Sequence, residues 1–388
     1  MRLRQRPPGT RDDRNFLCRK GFATGLAPTN QGAVVNRPDP LETAIALCAD
    51  LTDRDLAAGR IRKWTWGPAL LGYALTELDR YAGVSRFERW LNTWVRHYLD
   101  HPPRVDQSDM AAPGLVTHAM ARRTGSAELE ALTERVVHYL RHEPRLVDDA
   151  TNHLGPSAIG RLYPRSVWVD SLMMFGVLAA IRGRDVGESD LVELAARQPE
   201  QYAALLQDPD TGLWAHAWWA GRRAAYPTGV FWGRGNGWVL ASLPMIVEAI
   251  GTDHPRAERI AAILQRTAVA MRSRQRIDGA FNTLLSQPSY RELSAAALAA
   301  SGWFDGVRLG LLGREFLEPA DQALTAVTAA VHRDREGRWL LPEISGPTIP
   351  LPLLPRTGYL AVPRGANWDY GVAAFGFAAI AQRRATGG

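Results

Sequence analysis

Along most of this 388-residue chain apolar residues return every three or four positions, in stretches long enough for helices and almost nowhere in the alternation of strands. Residues 86–99 are the clearest case. Phe87, Trp90, Leu91, Trp94, Val95, Tyr98 and Leu99 form one wide apolar stripe, and His101-Pro102-Pro103 stops it. Asp39-Pro40 reads as an N-cap and first-turn proline opening a helix with Ala44, Leu47, Cys48 and Leu51 on one face. The same reading predicts twelve helices, over 39–55, 66–82, 86–99, 110–123, 127–141, 168–182, 187–206, 236–249, 254–273, 291–305, 318–332 and 370–384. Only 336–362, with Pro and Gly every few residues, leaves room for a small hairpin.

How these helices are joined narrows the architecture. Tyr81-Ala82-Gly83-Val84-Ser85, Arg123-Thr124-Gly125-Ser126 and Ile250-Gly251-Thr252-Asp253 each predict a short glycine-centred turn. Long irregular segments at 100–109, 142–167, 207–235, 274–290 and 334–369 alternate with them. An open solenoid would keep its loops short throughout and cap its ends with polar repeats. Six hairpins closed into a ring instead gather long connections at one mouth, where loops on a rigid scaffold carry chemistry. The expectation is therefore an all-α (α/α)6 barrel over 39–388, preceded by a basic, non-periodic arm over 1–38.

Charge excludes more than it suggests. The formal net charge is +6, but residues 1–20 hold seven Arg or Lys against Asp12 and Asp13, so +5 of it sits there. The remainder is close to neutral, and no nucleic-acid-binding face is expected on the folded body. Cys18 and Cys48 are the only cysteines, too few for a disulfide framework or a cysteine-rich metal site, and Cys48 reads as a small core residue. No uncharged apolar run reaches bilayer length, and no apolar segment follows the N-terminal arginines as in a secretory signal. A cytoplasmic protein without membrane partners is expected.

Several residues need more than a structural reason. Asp170 stands in Val167-Trp168-Val169-Asp170-Ser171-Leu172-Met173-Met174-Phe175, a run with almost no other polarity. Burial there favours the protonated carboxyl, as a general acid requires, unless donors hold the anion; the plainer alternative is a helix N-cap. Asp109, in Gln107-Ser108-Asp109-Met110, could likewise cap a helix or supply the second of the two carboxylates that glycosidases commonly use. Phe231-Trp232-Gly233-Arg234-Gly235-Asn236-Gly237-Trp238 matches no dinucleotide loop. Its glycines allow a tight turn or close approach. Arg234 offers a fork for a carboxylate, and Trp232 and Trp238 offer flat surface for a sugar ring; alternatively Arg234 buttresses the barrel and the tryptophans are core. His153 and His216 lie in long connections without zinc-site spacing, able to donate to a hydroxyl, orient a carboxylate or serve structure alone. No metal and no cofactor is expected. Thirteen tryptophans, with Trp214, Trp218, Trp219 and Trp232 in the long connections, suit a sugar-handling cleft, although core stacking accounts for some.

These motifs, in this order, resemble a known family. Trp64-Thr65-Trp66-Gly67, Asp109-Met110-Ala111-Ala112-Pro113-Gly114, Trp168 to Met174, Gly212-Leu213-Trp214-Ala215-His216, Trp232 to Trp238 and Ser289-Tyr290-Arg291-Glu292-Leu293-Ser294 are similar to segments of the unsaturated glucuronyl and rhamnogalacturonyl hydrolases. Those are glycoside hydrolase families 88 and 105; the likeness is nearer to 105 and spans about residues 40–385. The resemblance implies an (α/α)6 barrel and an unsaturated uronate oligosaccharide as substrate. It implies Asp170 as general acid/base, protonating C4 of the uronate enol ether while water adds at C5. It also implies Asp109 as second aspartate, His153 and His216 as active-site histidines, and Arg234 and Trp238 as lining, the arginine facing the uronate carboxylate. Two other classes compete. One is another sugar enzyme on this barrel, an epimerase, lyase or inverting glycosidase; the other is a non-catalytic carbohydrate-binding protein.

Overall fold

The computed structural model describes residues 38–387. Nearly all of the basic arm expected over 1–38, with Cys18, lies outside them. The helices are α1 (Pro40–Ala57), α2 (Trp66–Ala82), α3 (Glu88–Asp100), α4 (Pro113–Thr124), α5 (Ala127–His142), α6 (Val177–Val186), α7 (Ser189–Leu206), α8 (Gly233–Ile250), α9 (Ala257–Arg272), α10 (Leu293–Arg308), α11 (Leu317–Ala330), α12 (Pro355–Ala361) and α13 (Asp369–Thr386). All twelve expected helices are present, and the short α12 is an addition. Local chemistry sets their ends. Asp39 accepts from the Glu42 amide and Ser126 from the Leu129 amide, while Gly83, Gly125 and Gly187 stop α2, α4 and α6 at φ near +70°.

Six helices form an inner ring, each packed on the next: α2 on α4, α4 on α6, α6 on α8, α8 on α10, α10 on α13, and α13 back on α2. Of the others, α1, α3, α5, α7, α9 and α11 stand outside, with α5, α7, α9, α11 and α1 backing α4, α6, α8, α10 and α13. This difference is written in the side chains. α3 buries one stripe, Trp90, Leu91, Trp94, Val95 and Tyr98, whereas α10 is buried from Leu293 through Gly306. The ring is a closed (α/α)6 toroid. Because outer and inner helices alternate as antiparallel hairpins, all six inner helices run the same way. Their N-termini share the mouth with the long connections, and their C-termini share the opposite end with the short turns.

The long connections are not irregular throughout, and here the sequence reading is corrected. Residues Ser166–Trp168, Ala217–Trp219 and Ala224–Tyr226 make a three-stranded antiparallel sheet. Two-stranded ladders occur at 145–147 with 150–151, at 281–282 with 291–292, at 332–333 with 339–340 and at 344–345 with 364–365. The expected helix over 168–182 starts late: strand, turn and one π-helical turn (Leu172–Gly176) precede α6. No helix among the described residues is long and apolar enough to cross a membrane.

Candidate active site

The three-stranded sheet builds the site's centre. Its register pairs Trp168 with Ala217, and the Val169 amide donates to the His216 carbonyl at 2.9 Å, so the next residue, Asp170, emerges beside the His216 ring. Nε2 of His216 stands 3.3 Å from Oδ2 of Asp170. Both atoms are buried, and neither has an aligned hydrogen-bond partner. The Asp170 side chain caps no helix: the turn that follows hangs on its main-chain carbonyl. A buried carboxylate oxygen left unsatisfied by the protein is costly and calls for a partner from outside it, a water or a ligand.

A second pair mirrors the first. Asp109 lies in a 3-10 turn, Ser108–Met110, and its carboxylate faces Nε2 of His153 at 3.3 Å instead of capping a helix. The His153 main chain is held from both sides: its amide donates to Ser166 and its carbonyl accepts from Ser108, each at 2.9 Å. Nδ1 of its ring meets the hydroxyl of Ser171, next to Asp170, at 2.8 Å. Trp168 lies between the two histidines, stacked on His153 at 4.6 Å and edge-on to His216 at 5.0 Å. Two aspartates 61 positions apart are thus joined through one indole and one serine.

The glycine-rich segment is the first turn of α8, and its glycines serve contact within the protein. A Cβ on Gly233 would meet the Asn282 carbonyl at 2.7 Å, on Gly235 the Trp232 ring at 2.7 Å, and on Gly237 Leu298 at 2.9 Å. Asn236 accepts from the Trp214 amide and donates to the Trp214 and Trp232 carbonyls, fixing the segment that carries His216. Arg234 is fully buried, and both terminal nitrogens of its guanidinium are spent on the protein, while Nε has no aligned partner. One arm donates to the carbonyl and hydroxyl of Ser345, the other to the Gly346 carbonyl and the Thr348 hydroxyl. Buried Glu292 stands 3.8 Å from it and accepts from the Ser345 amide. This geometry supports the buttress alternative for Arg234, not the fork on a uronate carboxylate.

The tryptophans divide. Trp232 is buried between His216, stacked at 4.4 Å, and the Arg234 guanidinium, also at 4.4 Å. Trp238 is wholly buried and meets Trp66 edge-on at 6.2 Å. Trp214 reaches the Thr267 hydroxyl in the core, and Trp219 stacks on Tyr226 at 3.8 Å. For these, core stacking holds. Trp66, at the start of α2 and stacked on Tyr370, keeps an exposed part and offers the flatter platform.

Electrostatics favours one of the two alternatives that the sequence leaves open for Asp170. Burial pushes the Asp170 carboxyl up, but the contact with His216 and the charges of His153 and Arg234 prevail and hold it below its ordinary value. In the free protein Asp170 is an anion, not the protonated acid that its apolar neighbours alone suggested. Burial pushes His216 below its ordinary value, against the pull of Asp170. The neutral ring therefore carries its proton on Nε2, toward the carboxylate, while Nδ1 accepts from the Tyr359 hydroxyl at 2.8 Å.

Tyr359 and Ser171 are site residues that the sequence reading passed over. Ser171 is adjacent to Asp170 and could have been flagged by position. Tyr359 lies on α12, 143 positions from His216, and no spacing signals it. Its strap is tied down by three other tyrosines: Tyr163 donates to Pro350, Tyr226 to Leu351 and Pro352, and Tyr290 to Tyr359 itself. Among the described residues no group of three or more His, Cys, Asp or Glu is placed to hold a metal ion.

A closed ring of six helical hairpins, with two histidine-held aspartates at the mouth, defines a class: the six-hairpin toroids that work on sugars by carboxylate chemistry. Within it, the model of Glycosyl Hydrolase Family 88 matches residues 46–386, and the chain belongs to that family. It is similar to the unsaturated rhamnogalacturonyl hydrolase YesR of Bacillus subtilis (strain 168), with 28% identity over 276 residues, 70% of this chain and 77% of that one. Its fold matches a possible member of family 105 from Klebsiella pneumoniae with a TM-score of 0.78 at 21% identity, covering 95% of this chain and all of the other. It also matches the unsaturated glucuronyl hydrolase of Bacillus sp. GL1 with a TM-score of 0.70 at 17% identity, over 87% and 96% of the two chains.

Proposed function

We propose that the chain hydrolyses unsaturated uronyl oligosaccharides, rhamnogalacturonan- or glucuronan-derived, by hydrating the C4–C5 double bond of the non-reducing uronate. Residues 39–388 are the catalytic domain in this reading. The observation that carries it is the unsatisfied, buried Oδ2 of Asp170 beside Nε2 of His216 at the mouth.

Several features support the chemistry. Six inner-helix N-termini converge on the mouth, and each brings a partial positive charge suited to an anionic sugar. Asp170 starts as an anion. A uronate carboxylate arriving beside it is a like charge in a desolvated site and lifts its pKa, so Asp170 gains a proton as substrate binds. It delivers that proton to C4 of the enol ether. Electron demand at C5 draws in a water, and Asp170 recovers a proton as the water's oxygen bonds to C5. The hemiketal so formed opens, releasing the aglycone. His216 steadies the carboxylate through both transfers, and Asp109 with His153 orders the opposite wall.

The test is a panel of lyase-generated unsaturated uronate oligosaccharides, followed by loss of the ultraviolet absorbance of the conjugated enol ether, with wild type and Asp170→Asn side by side. Wild type clears the absorbance and the variant does so far more slowly. Turnover by a folded Asp170→Asn protein near the wild-type rate, or activity on saturated glycosides alone, sinks the reading. The second outcome would favour an ordinary inverting glycosidase on the same barrel.

A further inference from the structure

The toroid has a second opening. Residues of all six inner helices line a cavity of about 740 Å³ at the short-turn end, a size typical of small-molecule sites. Its apolar lining is Tyr73, Leu115, Ile181, Met245, Phe377 and Ile380, and Thr76 and Ser301 add hydroxyls. Around these stand five arginines and five carboxylates. None belongs to the mouth.

Pairing decides which charge is left over. Glu77 is shared by Arg80 and Arg384. Asp79 accepts from the Phe87 amide and lies 3.9 Å from Arg123. Asp185 is held by His118 and Arg184. Glu248 and Asp305 both go to Arg308, which is not among the lining residues. Every carboxylate is therefore spent. The two arginines on Glu77 and the two carboxylates on Arg308 offset each other, and exposed Arg122 has no partner among the described residues. Helix C-termini on their own favour cations, but glycine caps already satisfy carbonyls at the ends of α2, α4 and α6. The balance left for a ligand is cationic, over a partly apolar floor with hydroxyl groups.

We propose that this turn-end cavity is a second binding site, for a small hydroxylated carboxylate such as a free sugar acid. The carboxylate pairs with Arg122 and the carbon skeleton rests on Leu115, Ile181 and Phe377. The site is separate from the mouth and does not rest on the reaction proposed there.

Calorimetric titration of the full chain with galacturonate tests this, using wild type, Arg122→Glu and Ala119→Trp. The first variant reverses the anchoring charge; the second fills the cavity from one of its lining positions without changing charge. Thermal melts confirm that each is folded. Both variants are expected to weaken binding at least tenfold, and glucose and inorganic phosphate to bind wild type at least tenfold more weakly than galacturonate. Affinity that survives in either folded variant places the ligand at the mouth or on the outer surface and overturns the proposal. Equal binding of phosphate or of glucose overturns it as well, since charge alone or sugar alone would then suffice. If Ala119→Trp does not fold, Leu115→Phe replaces it under the same criterion.

Discussion

Two histidine–aspartate pairs stand at opposite ends of the same ring, and only one has a place in the proposed reaction. His216 with Asp170 lies at the mouth, His118 with Asp185 at the turn end. In both, burial pushes the imidazole below its ordinary value, and the aspartate is held below its own by its partners despite burial. Residue type and titration direction do not separate them. Their surroundings do. Asp185 makes a 2.9 Å contact with His118 through one oxygen and is answered by Arg184 at 2.7 Å through the other, so both oxygens of its carboxylate are engaged. Asp170 keeps an oxygen without an aligned partner, and His216 is steered from behind by Tyr359. In the proposed reaction the working pair is the one whose carboxylate keeps an unanswered oxygen.

The strongest way to break that contrast is to neutralise each aspartate. Asp170→Asn should lower kcat by roughly 10²–10⁴, the range for general acid–base catalysis, with little change in melting temperature. Asp185→Asn, whose carboxylate is already spent on His118 and Arg184, should move kcat less than about threefold while melting lower, because it breaks a partly buried pair. Comparable kcat losses in both would erase the distinction. Asp109→Asn, measured on the same substrate, should cost on the order of tenfold to a hundredfold in kcat/KM, as expected of a misplaced site wall. Tyr359→Phe removes the bond that fixes the His216 tautomer; kcat should drop by about tenfold, near the worth of one hydrogen bond to a buried group. KM should stay nearly constant in that variant, and a rise in KM with kcat intact would give Tyr359 to substrate binding instead.

The smallest expected effect sharpens the comparison from a third carboxylate. Asp369, at the start of α13, has Arg62 beside it, yet burial, with Asp55 adding to it, pushes its pKa up to about 6. A folded-state value above the unfolded one stabilises at low pH, and that contribution disappears as pH rises through about 6. Melting curves of wild type and Asp369→Asn should therefore diverge in favour of the variant by a few degrees between pH 4 and pH 7. A gap that stays constant across that range would mean the carboxyl titrates normally.

Much of the fold was legible because long amphipathic helices carry a strong period. The stripe from Phe87 to Leu99 and the cap at Asp39 hold in the structure. The strands were not legible. At two or three residues each they are too short to show alternation, and Ser166-Val167-Trp168 runs straight into a helical pattern that masks it. Within the site, Asp170 could be singled out because polarity is rare in its segment, and the two histidines because they sit in long connections. What a side chain faces was a different matter. Arg234 is spent on residues 345–348, more than a hundred positions away, and Tyr359 finds His216 across a similar gap; local sequence holds no record of either. The protonation of Asp170 stayed open in the sequence for the same reason, since the groups that lower its pKa, His216, His153 and Arg234, lie on other segments.

The seam of the ring has a consequence for how the molecule is made. α13 packs against α1, α2 and α10, Arg383 pairs with Asp39 and Arg384 with Glu77, so the first and last helices of the described fold clasp each other. A nascent chain halted before residue 369 would hold an unzipped ring, with the walls of α2 and α10 bare to water until α13 emerged from the ribosome. Chaperone dependence should therefore be greatest just before α13 emerges. A permuted gene that joins the two clasped ends and starts at the Gly125 turn would move that exposed seam elsewhere without altering the finished toroid.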